Sequence, residues 1–339
     1  MRLACYPPYR STLIALVNHP VLSALIPVVL LIAIGFIAGY ARWLRSESIK
    51  DLSNLVFLVL TPALMFRTMS TVHLEQLDFK PVAAYFLAAL VMYALVLLTQ
   101  GLSRRSAVLA MASTFSNSVM IGVPLVGLAY GAPGLVIVFT LLSLHSMVML
   151  TAGTLVLELA VAREMASAAS HSMAGDEAQA RRPILRTVLV ALRNSIIHPV
   201  AIPVIAGLLF AQTGWAVPEV VDKPLQWLGQ AFGPMALMLV GVTLSSTAVG
   251  SHLRDAVAVT LVKTLIYPLT VWLIATLLGL SGLPLVVIVV IAGLPIGANV
   301  FLFSQRYKVA QELVTASVVV STALAMVTVP LVMVLVGSL

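Results

Sequence analysis

The chain has 339 residues, of which 61% are hydrophobic and only 9% are charged. A soluble domain carries about 25% charged residues, so a water-soluble fold is excluded and most of the chain must lie in a bilayer. The net charge of +7 sits in short loops between apolar runs, which suits lipid headgroups and points away from nucleic acid.

Residues 1–19 read as an extracytoplasmic tail. Arg2 and Arg10 flank a poorly apolar stretch, so no cleaved signal is expected there. Cys5 is the single cysteine, which rules out an internal disulfide and a cysteine-ligated metal. No metal and no cofactor is expected. A first group of five apolar runs follows, at 20–41, 50–71, 81–102, 106–130 and 134–158. Each is long enough to span. Residues 159–193 hold Arg163, Glu164, Asp176, Glu177, Arg181, Arg182, Arg186 and Arg193, and read as a cytoplasmic linker. Five more runs, at 194–212, 226–248, 254–279, 283–305 and 311–336, complete the chain to residue 339.

Most Lys and Arg fall in the loops after runs 1, 3, 5, 7 and 9, among them Arg42, Arg45, Lys50, Arg104, Arg105, Arg254, Arg306 and Lys308. The positive-inside rule places those loops in the cytoplasm and both termini outside. Five is an odd number, so two copies of a five-helix repeat must insert in opposite senses. His19-Pro20-Val21 echoes His198-Pro199-Val200, and Pro62-Ala63-Leu64-Met65 echoes Pro234-Met235-Ala236-Leu237-Met238. The expectation is an all-α membrane protein of ten transmembrane helices in two inverted repeats, 20–158 and 194–339.

Runs 4 and 9 carry the most information. One reads Asn117-Ser118-Val119-Met120-Ile121-Gly122-Val123-Pro124, and the other Gly293-Leu294-Pro295-Ile296-Gly297-Ala298-Asn299. A proline removes one helix donor and pushes away the carbonyl one turn back. Polar backbone freed in this way is tolerated in a membrane only against protein or a wet cavity. Matched broken segments in the two halves therefore point to a transporter's binding site. Asn117 and Asn299 supply donors without a charge penalty and suit a carboxylate. Amides also serve as interhelical hydrogen-bonding groups; their place beside paired breaks favours a site.

Lys263 stands nine positions after Arg254, about 13 Å along a helix, too deep to reach the surface easily. It either attracts an anionic substrate or neutralises helix C-terminal ends. His145, near the middle of run 5, is either a packing residue or a substrate contact and proton relay. Ser116, Ser118, Ser143 and Gln305 are further candidate liners. No carboxylate occupies the middle of a run, which disfavours a cation exchanger built on a carrier Asp or Glu. No H-E-x-x-H, G-x-S-x-G or nucleotide-binding loop appears, so no enzyme is expected.

These stretches resemble the auxin efflux carrier family, which includes bacterial malate/malonate permease-like proteins and plant auxin exporters. The likeness is carried by Asn117 through Pro124 and on to Tyr130-Gly131, and by Leu294-Pro295 through Phe301, Phe303 and Tyr307. Asn54-Leu55 through Thr61-Pro62, Arg193-Asn194 through Pro199, and Pro330 add to it. The resemblance implies that helices 4 and 9 cross at their prolines, and it carries over Asn117, Pro124 and Pro295 as crossover residues; Gly122 and Gly297, beside those prolines, are expected at the crossover too. It also implies an elevator-like motion and a homodimer. The expected function is secondary transport of small organic anions across a bacterial-type inner membrane. The alternatives are a sodium-coupled carrier similar to bile-acid symporters and a membrane receptor.

Overall fold

The computed structural model describes residues 20–44, 46–73, 75, 77–171, 201–247 and 252–337. The expected tail 1–19, the linker beyond 171 and the 193–199 motif lie outside the described residues. Among the described residues the named elements are all helical. In chain order they are α1 (Pro20–Tyr40), α2 (Ser46–Leu55), π1 (Val56–Leu60), α3 (Thr61–Met69), α4 (Lys80–Gln100), α5 (Arg104–Thr114), π2 (Ser118–Gly122) and α6 (Val123–His171). They continue as α7 (Ala201–Gln212), α8 (Glu219–Ser246), α9 (Leu253–Leu261), π3 (Val262–Ile266), α10 (Tyr267–Leu277), α11 (Gly282–Gly293), α12 (Asn299–Arg306) and α13 (Gln311–Gly337).

Six helical stretches are long and apolar enough to cross a membrane, and Leu25–Tyr40, Ile202–Gln212 and Gly282–Gly293 are shorter apolar helices. Ten spans were expected. The shortfall has a local cause at run 9, where a broken backbone leaves each half short. In run 6 only residues from 201 on are described. The helix of run 5 continues past residue 158 to His171, so the start of the expected linker is helical. Runs 4 and 5 are joined within α6 at Gly131, whose φ of 61° and ψ of −153° break the helix. A residue with a β-carbon is disfavoured at that φ.

The three π turns share one cause. Each is closed by the residue just before a proline: Thr61 before Pro62, Val123 before Pro124 and Tyr267 before Pro268. In each, the N–H of the residue before the proline reaches back five positions, to Val56, Ser118 or Val262. The proline ring repels the carbonyl four residues back, and widening the turn by one residue relieves that clash without ending the helix. Thr61 adds a hydroxyl bond to the Val56 carbonyl at 2.8 Å.

The helices fall into two packed groups. α1 lies along α8, α3 packs on α7, and α8 also packs on α3. The α1–α8 contact is backbone-close. A β-carbon on Gly35 would press on the Met238 carbonyl, and one on Gly241 on the Ile32 carbonyl and Phe36 nitrogen. Small residues permit such approach in a membrane. The second group joins α4 to α5, α4 to α10, α10 to α11, and α9 and α11 to α13, with α6 packed on α5 and α11.

Candidate functional site

The two broken runs meet. The α5 helix ends at Thr114, and Phe115, Ser116 and Asn117 are unwound before π2 begins. In run 9, α11 ends at Gly293 and α12 starts at Asn299. Ser116 and Ile296 pair as an antiparallel bridge. The Asn117 N–H donates to the Pro295 carbonyl at 2.9 Å, and the Gly297 N–H to the Phe115 carbonyl at 2.9 Å. The Ile296 N–H donates to Ser321 Oγ of α13 at 3.1 Å. These bonds satisfy backbone groups that the breaks release inside an apolar interior. Gly297 is required sterically, since a β-carbon would strike the Phe115 ring and sit 3.0 Å from the Ser116 carbonyl. Gly122 is buried against Ile291 and Leu294 for the same reason.

Pro295 lies in its break, as the sequence suggests, but Pro124 does not. Pro124 is the second residue of α6, in helical backbone, and its run is interrupted seven residues earlier. The reason is the widened π2 turn, which absorbs the proline. The crossover residues of run 4 are therefore Phe115, Ser116 and Asn117.

A cavity of about 660 Å³ opens at this crossing. Asn117, Ser118 and Met120 line it from one break, and Gly297, Ala298 and Asn299 from the other. His145 and Leu142 of α6 and Thr322 of α13 complete that wall. The facing wall comes from the other helix group, with Ser53, Asn54 and Phe57 on α2 and π1, and Val240, Thr243 and Thr247 on or beside α8. No Lys, Arg, Asp or Glu is among the described lining residues. The N-terminal turns of π2 and α12 border the space. Helix N-termini carry unpaired N–H groups and the positive end of the helix dipole.

The structure brings Asn117, Asn299, His145 and Gly297 together at one location, with Ser116 and Ser118. Ser143 and Gln305 are not among the cavity's lining residues, and Ser143 Oγ donates to the Thr140 carbonyl at 2.7 Å. Lys263 also lies off the cavity. It is fully buried, and its Nζ donates to the carbonyls of Ala292 at 2.5 Å and Leu294 at 2.7 Å, above the Tyr267 ring at 5.2 Å. It neutralises the C-terminal end of α11. Ser53 and Thr243 went unnoticed in the sequence, where Ser and Thr near helix ends carry no distinguishing signal.

His145 is 2% exposed, and neither ring nitrogen has a hydrogen-bond partner. Phe115 meets its ring edge-on at 4.8 Å, with Tyr85 at 5.8 Å and Phe86 at 6.2 Å. Tyr85 shares a 3.3 Å hydrogen bond with Ser116. Away from the cavity, Arg104 holds Glu164 through its backbone N–H at 3.0 Å and Nε at 2.6 Å. Those bonds keep the Glu164 carboxyl below its ordinary range. The Tyr307 hydroxyl donates to Glu158 at 2.9 Å, and burial beside that carboxylate raises the phenol.

A family model described as membrane transport protein matches residues 20–333. The chain belongs to this membrane transport protein family, that of the auxin efflux carriers. A protein of Rhizobium meliloti (strain 1021) named "Putative malonate transporter" is 25% identical over 307 residues, which cover 88% of this chain and 90% of that protein. Auxin efflux carrier component 8 of Arabidopsis thaliana is 24% identical over 243 residues, 63% of this chain and 66% of its own length. The chain is accordingly a multi-pass membrane transporter, and the cavity at the crossing is this family member's candidate substrate site.

Proposed function

We propose that this carrier moves small organic anions, mono- or dicarboxylates, and that the carboxylate binds in the cavity at the crossing between Asn117 and Asn299. One observation carries the reading: the cavity presents paired amides, hydroxyls and two helix N-termini, and no charged side chain among its described lining residues. Neutral donors in a desolvated pocket hold an anion without the tight ion pairing that would hinder release. Lys263 assists from behind. By neutralising the negative end of α11, it leaves the positive start of α12 unopposed at the cavity.

The proposal includes ten transmembrane helices in two inverted repeats. Reciprocal packing supports it. The first span lies on the seventh as the sixth lies on the second, and the third packs on the fourth as the eighth packs on the ninth. The glycine-tight α1–α8 pair with α3 and α7 would form a fixed scaffold, and the crossing with α4, α9, α10 and α13 the moving body. The substrate cavity lies between the two groups, as an elevator motion requires. Of its lining residues, Ile49 and Ser53 stand in α2, which follows the loop after the first span, and Thr247 stands at the end of α8. With that loop in the cytoplasm, as its Lys and Arg suggest, we take this end as an inward-facing mouth, with both termini outward. Homodimerisation through the scaffold, in a bacterial-type inner membrane, completes the reading.

Flux in proteoliposomes tests it, with radiolabelled malonate, succinate and indole-3-acetate as probes, each with and without a sodium gradient. Saturable uptake of at least one acid, indifferent to sodium, is the expected result. Strict sodium dependence would favour the bile-acid-symporter-like alternative, and no flux of any acid would overturn the anion reading.

A further inference from the structure

Among the described residues lining the cavity, His145 is the one imidazole, the side-chain type whose charge in water changes between about pH 5 and 8. It is buried with both nitrogens unpaired. A neutral imidazole is one donor and one acceptor, and leaving both unmade in an apolar interior is costly. Phe115, Tyr85 and Phe86 pack around the ring and supply aromatic surface. The Tyr85 hydroxyl is engaged with Ser116. The facing side chains of α8 and α13, Val240, Thr243, Val318 and Thr322, are uncharged. Lys263, on π3, sits over the Tyr267 ring at 5.2 Å, Tyr267 stacks edge-on against Tyr85, and Tyr85 packs on His145, so Lys263 and Tyr267 are the ionisable groups behind that layer. An imidazolium in the empty cavity would therefore be buried near a second cation without a counterion. A substrate carboxylate is the counterion that the protein itself does not provide there.

We propose that His145 is the proton-coupling residue of the carrier, charged while the acid is aboard and neutral while the cavity is empty. The proposal rests on the anion reading above. The proton comes from water at the open mouth and binds the lone pair of a ring nitrogen as the carboxylate enters. It returns to water on the opposite side when the acid leaves. Each acid molecule then travels with one proton, so a monovalent acid crosses without net charge movement and a dianion carries one net negative charge.

Isothermal calorimetry of the full-length purified protein tests this, with malonate and indole-3-acetate in two buffers of different ionisation enthalpy. The wild-type protein should take up about one proton per acid bound, and over the pH range where it does so its affinity should fall roughly tenfold per pH unit. His145→Gln keeps a donor and an acceptor but cannot titrate. It should bind the acid with no proton uptake and a flat pH profile, whereas His145→Phe should lose binding. Wild-type binding without proton uptake, or uptake that persists in His145→Gln, overturns the proposal and leaves the anion reading standing. Binding of neither acid overturns both. Should the Gln variant fail to fold, the wild-type proton count decides alone.

Discussion

Lys263→Met isolates the role of the buried ammonium. Methionine keeps most of the apolar stem, so the cavity left behind is small. What disappears is the pair of charge-assisted bonds to the Ala292 and Leu294 carbonyls. Two such bonds contribute about 3–6 kcal/mol together. Removing a buried charge also removes its desolvation penalty, which often makes such a swap neutral. Here the two carbonyls stay behind at the end of α11, beside the break, with no other donor to them among the described residues. We expect a net loss of about 2–4 kcal/mol after the offset. Thermal unfolding in detergent, followed by tryptophan fluorescence, reads the stability. Equilibrium binding reads the second effect, because the exposed negative helix end should weaken anion affinity in whatever protein remains folded. A variant as stable as the parent, with unchanged affinity, would refute the assignment of Lys263 to the helix end.

Further outcomes are specific to single positions. Asn117→Ala or Asn299→Ala should lower the flux specificity constant roughly 10- to 100-fold, the worth of one hydrogen bond to a charged group, with folded yield unchanged in size-exclusion profiles. Gly241→Ala should lower the unfolding temperature, at a cost of about 1–3 kcal/mol from overpacking against Ile32, although helix propensity alone favours alanine. Glu164 is depressed in the folded protein by Arg104. Its stabilisation is present above the unfolded carboxylate range and is lost as pH falls through the folded value. The pair is over a third exposed, so a pH titration of stability in Glu164→Gln should differ from the parent by no more than about 1 kcal/mol.

Much of the site was legible because a bilayer makes polar residues conspicuous. Asn117, Asn299, His145 and Lys263 stand out against apolar runs, and Pro295 marks a true break. Pro124 misled for a physical reason. A proline can be absorbed by a π turn, as at Pro62 and Pro268, so it signals a disturbance without fixing where the helix opens. The opening at Phe115–Asn117 contains neither proline nor glycine. It exists because the Pro295 carbonyl and the Gly297 N–H, far away in sequence, offer the bonds that replace the lost helical ones. Helix C-terminal ends were one of the two roles open to Lys263, but which end it meets was hidden, since backbone carbonyls leave no trace in a residue pattern. The scaffold wall, with Ser53 and Thr243, depends on how two helix groups face each other, which periodicity does not encode.

The most direct test of the central claim is an experimental structure determined with a transported acid bound. Density for the carboxylate between Asn117 and Asn299, within hydrogen-bond reach of both amides and of the start of α12, is the expected result. An acid seated elsewhere, with the crossing empty, would contradict the account.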